Sequence, residues 1–366
     1  MRSVLVLGGY GFFGQRIAAT LAASNSLRVL VGGRDLERAN AAVRGMGLSA
    51  EHAVVLDAYD SHLTQFLRRL EVDLLIHTAG PFQSQDYSVA RAAIAAGCHY
   101  IDLADGRQFV SGVGALNALA SEAGVTVVSG ASSVPALSSA VIDRYLPKFR
   151  LLEVIRIGIS SGARVPGLAT VRGVFSYAGK PIRFWLDGRW VEAYGWLDLS
   201  RHRFPPPLDR RWLGSCDVPD LELFPKRYPT ARTVTFQAGF ASDLGHLVVW
   251  GLAHLVKSGT LTDMRAFATP LRHLSRWMEP VVSDKGGMFV RLEGEGVDGA
   301  PLRVEWNLIA ENNHGPHIPC GAAIALARKI GAGVSLAPGA MPCVGLLTVE
   351  EFLEPLRDLS ISEQVV

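Results

Sequence analysis

The run Val4-Leu5-Val6-Leu7-Gly8-Gly9-Tyr10-Gly11-Phe12-Phe13-Gly14 constrains this chain most. An apolar strand breaks on glycines, and residues 15–23 read as a helix. Gly9, Gly11 and Gly14 satisfy G-x-G-x-x-G in a strand–turn–helix setting, which glycine spacing alone does not supply. Gly9 is expected to allow the tight turn. Gly11 removes a side chain that would block a pyrophosphate, and Gly14 lets the helix lie close to the strand. Phosphates then sit on the helix N-terminus, where free N–H groups and the dipole favour negative charge. Tyr10, Phe12 and Phe13 complete this loop.

Strand and helix alternate over the first ~130 residues. Strands are expected at 27–31, 53–56, 74–77, 100–103 and 125–128. Asp35 is placed as the cap of a helix over 36–44. Ser61 is placed as the cap of a helix carrying Leu63, Phe66, Leu67 and Leu70. The helix over 86–96 stops at Gly97. The pattern predicts an α/β fold, a doubly wound parallel Rossmann sheet of order 3-2-1-4-5-6 with right-handed crossovers.

A chain of 366 residues exceeds the ~250–300 at which single cores stop growing. The expected division is a dinucleotide domain over 1–135, a substrate and dimerisation α+β domain over 136–318, and C-terminal helices over 319–366 packing back on the first. Two Asp-Gly pairs predict hairpins with type I′ turns. Asp187-Gly188 joins 182–186 to 189–191, and Asp298-Gly299 joins 288–293 to 302–309. The second domain therefore carries an antiparallel or mixed sheet, interrupted by helices over 244–257 and 266–278. A helix over 320–330 follows the last strand, and another over 346–356 is capped by Thr348.

A net charge of +2 excludes nucleic acid as an expected partner. Arg210-Arg211 after Pro205-Pro206-Pro207 reads as a surface loop. Cys98, Cys216, Cys320 and Cys343 lack C-x-x-C spacing and read as reduced thiols of a cytoplasmic protein. A strand from Val4 leaves no room for a leader segment. The apolar stretch 236–256 contains Asp243, His246 and His254, and its longest uncharged run, 247–253, falls far short of the ~20 residues a bilayer needs. It reads as a buried helix or an oligomer interface, with a homodimer expected through 244–257.

Arg34 stands where the second strand ends, about twenty residues beyond the last glycine. An acidic residue there would bind the ribose of NAD, whereas an arginine accepts the 2′-phosphate of NADP. Gly33 and its neighbour Gly32 leave space for that phosphate, and Arg38 is a helper one turn on. NADP(H) is the expected cofactor, ahead of NAD. Asp57 closes the third strand, placed either to bond the adenine amino group or to hold a turn. Ala79-Gly80-Pro81-Phe82 closes the fourth strand at the crevice expected to hold the nicotinamide half.

These segments, with Ala96-Gly97-Cys98-His99-Tyr100-Ile101-Asp102-Leu103, resemble the saccharopine dehydrogenase-like family. The likeness covers residues 1 to about 135. It weakens at Pro135-Ala136-Leu137-Ser138, where members often carry a proline–glycine pair. The resemblance implies an NAD(P)-dependent oxidoreductase transferring hydride at an imine or secondary amine, or reducing a carbon–carbon double bond. The small-molecule substrate is not named by it.

Asp102 and Asp105, at the end of the fifth strand, are candidate proton donors or acceptors. Asp102 reads first as a buried carboxylate accepting backbone N–H bonds, and Asp105 as the one exposed to ligand. His317, in the polar loop Asn312-Asn313-His314-Gly315-Pro316-His317, is a candidate acid or carboxylate contact. No third ligand near His314 and His317 makes a metal site. Arg107, Arg164, Arg172 and Arg183 are open choices for a carboxylate clamp. Trp185, Trp190 and Trp196 read as core, interface or an apolar cleft. No tyrosine is followed by lysine four residues on, as a short-chain dehydrogenase requires. Two other roles stay open: an NADP(H)-binding protein without turnover, and a non-redox enzyme that borrows a hydride and returns it. Thirty arginines against six lysines suggest a GC-rich bacterial genome.

Overall fold

The computed structural model describes all residues except 25, 163, 164, 166, 278, 280, 281 and 335, and for residue 274 the backbone alone. Arg164 and the end of the helix expected over 266–278 lie outside the described residues. The chain divides into two units, Met1–Leu137 with Pro319–Pro355, and Ser138–Ile318 with Leu356–Val366.

The first unit is built on β1 (Ser3–Leu7), β2 (Arg28–Gly33), β3 (Ala53–Val55), β4 (Leu74–His77), β5 (His99–Asp102) and β6 (Thr126–Ser129). Their order is β3-β2-β1-β4-β5-β6, and neighbours run parallel. A further parallel strand, Gly339–Pro342, lies beyond β6. Its sequence Gly-Ala-Met-Pro shows no strand pattern. It is held by its backbone: the N–H of Ala340 donates to Asn117 Oδ1 at 3.0 Å and that of Cys343 to the Ser129 carbonyl at 2.8 Å. One face of the sheet, with Leu5, Leu7, Leu30, Leu75 and Tyr100, packs on Leu63, Leu67, Val89 and Ala93 from the crossover helices. Strands buried on both faces are what a parallel sheet requires.

Helix ends follow local chemistry. Asp35 caps Leu36–Gly45 by accepting the Arg38 N–H at 3.0 Å. Ser88–Ala96 stops at Gly97, whose φ of 74° suits a residue without Cβ. Thr348 and Glu351 form a capping box before Val349–Leu353, a shorter helix than expected. Ser61 caps nothing. Asp60 accepts the His62 N–H at 2.8 Å, so the helix begins at Leu63 after an aspartate turn.

The second unit holds a mixed sheet of β7 (Phe149–Ser160), β8 (Pro181–Leu186), β9 (Arg189–Tyr194), β10 (Ser200–Arg203), β11 (Arg210–Ser215), β12 (Thr233–Gly239), β13 (Gly286–Gly296) and β14 (Pro301–Ala310). β12 runs parallel to β7, and the other pairs are antiparallel. The last strand, Ile361–Val365, pairs with β14. Residues 356–366 thus leave the first unit and add a strand where only helices were expected. Arg210-Arg211 begins β11 rather than lying in a loop, and Arg211 reaches Ser283 Oγ at 3.2 Å.

Asp187 and Gly188 have φ of 51° and 78°, as a type I′ turn demands. Asp298 does not. Only Gly299 is left-handed there, pairing stops at Glu295–Pro301, and the Asp298 carboxylate accepts the Ala300 N–H in a longer loop. Trp185 and Trp190 meet across the first hairpin at 5.2 Å, while Trp196 is buried and stacks on Phe240 at 4.8 Å. Among the described residues, no helix is long and apolar enough to cross a membrane.

Candidate functional site

The glycine loop lies between β1 and helix Gly14–Ala22. The left-handed turn falls on Gly8, with φ of 81°, not on Gly9. The N–H groups of Gly8 and Gly9 both donate to the Gly32 carbonyl, at 2.8 and 3.1 Å, tying the loop to the end of β2. Gly9 is needed for closeness instead, since a Cβ there would stand 2.7 Å from the Val6 carbonyl. A Cβ on Gly11 would meet only the loop's own Gly8 carbonyl, at 2.9 Å. One on Gly14 would collide with that carbonyl and stand 2.6 Å from Thr78 Oγ1. The helix therefore presses on the loop as its fingerprint implies.

The helix has no side-chain cap and no acidic residue in its first turn. The backbone N–H groups of Tyr10, Phe12, Phe13 and Gly14 find no backbone acceptor among the described residues. Unpaired donors at a dipole's positive end make a cradle for a phosphate. Arg16, which the sequence reading passed over, adds a cation. Its guanidinium donates to the Phe12 carbonyl and lies 4.5 Å over the Phe12 ring. Its Nε has no partner, and burial lowers its pKa.

At the end of β2, Arg34 is exposed and makes no ion pair or hydrogen bond among the described residues. The guanidinium of Arg38 lies 4.7 Å over the Tyr10 ring, and the Tyr10 hydroxyl accepts the Asp35 N–H at 3.0 Å. Gly33 does not leave room for a phosphate. The Tyr10 ring lies directly where its Cβ would be, and a Cβ on Gly32 would stand 3.0 Å from Leu5. The two glycines make space for protein, and the Tyr10 ring that fills it carries the Arg38 guanidinium on its face. Asp57 takes the turn alternative, accepting the Tyr59 N–H at 3.1 Å.

Ala79, Gly80 and Pro81 are half-buried at the end of β4. Gln85, also unforeseen, shapes their loop by donating to the Ala79 and Pro81 carbonyls at 2.8 and 2.9 Å. Phe82 turns inward. It is buried between His77 at 5.0 Å and Phe109 at 5.4 Å, so any contact it gives a ligand comes from its backbone.

Asp102 does not face an open crevice. It is fully buried, and Oδ1 accepts from the Ala104 and Gly130 N–H groups and from the Ser129 hydroxyl, at 2.9, 2.8 and 3.0 Å. Burial pushes its pKa up to about 6 against the pull of those bonds. Tyr100 stands beside it and meets His77 Nδ1 at 3.0 Å. His77 is buried and drawn down to about 4, so it is neutral.

Asp105 differs. It is half-buried beyond the strand end, and Gln83 donates to its Oδ1 at 3.0 Å. Burial raises its pKa, offset by that bond. His317 belongs to the second unit, in the short 3-10 helix Gly315–Cys320, with its ring edge-on to His314 at 5.9 Å. His314 Nδ1 is already taken by the Ser360 N–H at 2.9 Å. Among the described residues no three potential ligands gather to hold a metal. Of the arginines, Arg107 is buried at the start of the helix following Asp105, and Arg183 lies 5.4 Å over the Trp190 ring.

Fold and loop together define a two-unit α/β protein with a dinucleotide-binding Rossmann sheet. Residues 4–128 match the family described as the saccharopine dehydrogenase NADP binding domain, which supports a nicotinamide-dinucleotide-binding domain here. Among solved structures, the chain is similar to apo saccharopine dehydrogenase (L-Glu forming) from Saccharomyces cerevisiae. Identity is 17%, coverage is 100% of both chains and the TM-score is 0.68. It is also similar to a probable dehydrogenase from Thermotoga maritima, at 8% identity over 97% of this chain and 93% of that one, with a TM-score of 0.50. No curated protein sequence matches the chain. The likeness to these structures is one of fold.

Proposed function

We propose that this protein is an NADP(H)-dependent oxidoreductase acting on a carbon–nitrogen substrate, an imine or secondary amine, or on a carbon–carbon double bond. The observation that carries the reading is the exposed Arg34, which makes no ion pair or hydrogen bond among the described residues at the end of β2, together with Arg38 over Tyr10 of the glycine loop and the uncapped helix that follows that loop. The acidic residue that follows Arg34, Asp35, accepts the Arg38 N–H as the helix cap, which supports a role other than binding the ribose. The family description and the dehydrogenase fold of the relatives support the class of reaction.

Replacing Arg34 by alanine is expected to weaken NADPH binding about ten- to a hundredfold, the worth of a charge-assisted bond of ~1.5–3 kcal/mol. NADH binding should hardly change. Fluorescence titration of both nucleotides reads this directly, and an unchanged preference for NADPH sinks the reading.

The bound nicotinamide supplies or accepts the hydride. The chain's own residues do the rest. The N–H groups of Tyr10, Phe12, Phe13 and Gly14 would hold the diphosphate, and the Ala79–Phe82 backbone would border the reactive end. Asp105 keeps its proton to higher pH than an ordinary aspartate, which suits a donor to nitrogen or carbon as hydride arrives. His317 is the second unit's proposed contact for a substrate carboxylate.

Asp105→Asn should cut turnover of a carbonyl compound with an amine and NADPH by about a hundred- to ten-thousandfold, with NADPH affinity intact. In the wild type the reductive rate should fall as pH rises through the Asp105 pKa, and the variant should lose that limb. A variant with full turnover removes Asp105 from the chemistry. NADPH binding without turnover of any carbonyl–amine pair or activated double bond would favour the binding-only role.

A further inference from the structure

Helix Asp243–Lys257 buries one side and leaves another bare. His246, Val249 and Ala253 face inward, in the cluster with Trp196 and Phe175. On the other side Leu244 is 60% exposed, Leu247 38%, Val248 36% and Leu255 45%. They recur at helical spacing around Gly251, where an added Cβ would meet nothing within 4 Å. The stripe is uncharged and about 16 Å long at 1.5 Å per residue.

Its border carries opposite charges at opposite ends. Asp243 lies in the first turn, and His254 and Lys257 lie in the last. Asp243 and His254 are three turns apart and share one flank. Both are exposed, and Asp243 makes no ion pair among the described residues. Lys257 sits 4.2 Å over the Tyr194 ring, which carries the border onto the hairpin of β8 and β9.

We propose that this face docks a second copy of the chain, the two helices running antiparallel about a two-fold axis between Val248 and Gly251. In such a pair the same flank meets itself head to tail. Asp243 of each copy then comes beside His254 and Lys257 of the other, and each positive helix end meets a negative one. Gly251 lets the backbones approach where the axis passes. A parallel pair leaves the charges unmatched. An anionic membrane would want a basic border, and this one carries an aspartate at one end against one lysine at the other.

Light scattering across the micromolar range tests this. The wild type is expected at twice the 39.4 kDa chain mass. Leu247→Glu enters the interface twice and should weaken association about thirtyfold or more. It should give the single-chain mass with an unchanged circular dichroism spectrum, since Leu247 is already exposed. Asp243→Lys should weaken the dimer, and adding His254→Asp should restore it. A monomeric wild type, including one that binds anionic vesicles as a monomer, overturns the proposal. So does a dimer that survives Leu247→Glu, and failure of the double exchange overturns the antiparallel arrangement.

Discussion

A Gly14→Ala protein is expected to lose NADPH binding by at least about a hundredfold and to lose about 1–3 kcal/mol of stability. The added methyl has nowhere to go. It meets the Gly8 carbonyl and Thr78 Oγ1, and Thr78 is pinned because its hydroxyl donates to the Leu7 carbonyl at 2.9 Å. Neither neighbour is the free end of a flexible side chain. The helix must therefore withdraw from the loop, and the N–H groups of residues 12–14 move with it. Two charge-assisted bonds lost at ~1.5–3 kcal/mol each account for the affinity. Gly45→Ala is the matched control. A Cβ there meets nothing within 4 Å, and the position lies at a helix end. That variant should gain up to ~1 kcal/mol and bind NADPH normally. Denaturant unfolding and nucleotide titration of both proteins check the pair, and NADPH binding by Gly14→Ala at wild-type affinity would refute the account of the loop.

The same loop shows what a sequence discloses and what it withholds. The sheet order was readable because apolar strand runs alternate with helical runs, and each crossover has one favoured hand. That Gly14 is needed for helix–loop contact follows from its spacing in a strand–turn–helix setting. Which glycine turns left-handed does not, because Gly8 and Gly9 are chemically the same and only the paths of β1 and β2 distinguish them. Gly33 misled for a related reason. A glycine announces that something comes close, and whether that is a phosphate or the ring of Tyr10 is decided by tertiary packing. His77 and Gln83 were invisible because their roles rest on contacts to other segments of the chain, and Gln85 because its bonds to Ala79 and Pro81 depend on how their loop folds back. The strand Gly339–Pro342 was missed because it has no apolar alternation and is held by backbone bonds to a neighbour that is already buried. Ser61 failed as a cap because Asp60, one residue earlier, is the stronger acceptor and makes its own turn. In the second unit a positive φ at both central residues is a two-residue requirement. Asp187-Gly188 meets it, and the longer connection at Asp298 does not need it.

Asp102→Ala is expected to cost about 3–5 kcal/mol, the penalty for stranding buried donors that held a charge. Asp102→Asn should cost far less at neutral pH, because its Oδ1 still accepts from Ala104, Gly130 and Ser129. The pH dependence separates the two effects. Burial raises the carboxyl from 3.8 in the unfolded chain to about 6 in the fold, so the folded state binds this proton more tightly. The stability this gives is fully present below about pH 4 and is lost as pH rises through about 6. The loss amounts to about 3 kcal/mol at 1.36 kcal/mol per unit. Asparagine has no proton to lose. The Asn variant should therefore gain on the wild type from pH 4.5 to pH 8, as read by unfolding free energies at both values. Equal slopes for the two proteins would mean that Asp102 is ionised in the same way folded and unfolded. A stable Ala variant would mean that the clasp between β5 and β6 is dispensable. Turnover gives a separate reading on the same protein. If Asp102→Asn folds, binds NADPH and still turns over, the carboxylate only clasps the strands. If it folds and binds but has lost turnover, the ionisable oxygen beside Tyr100 and the neutral His77 handles a proton that Asp105 alone does not.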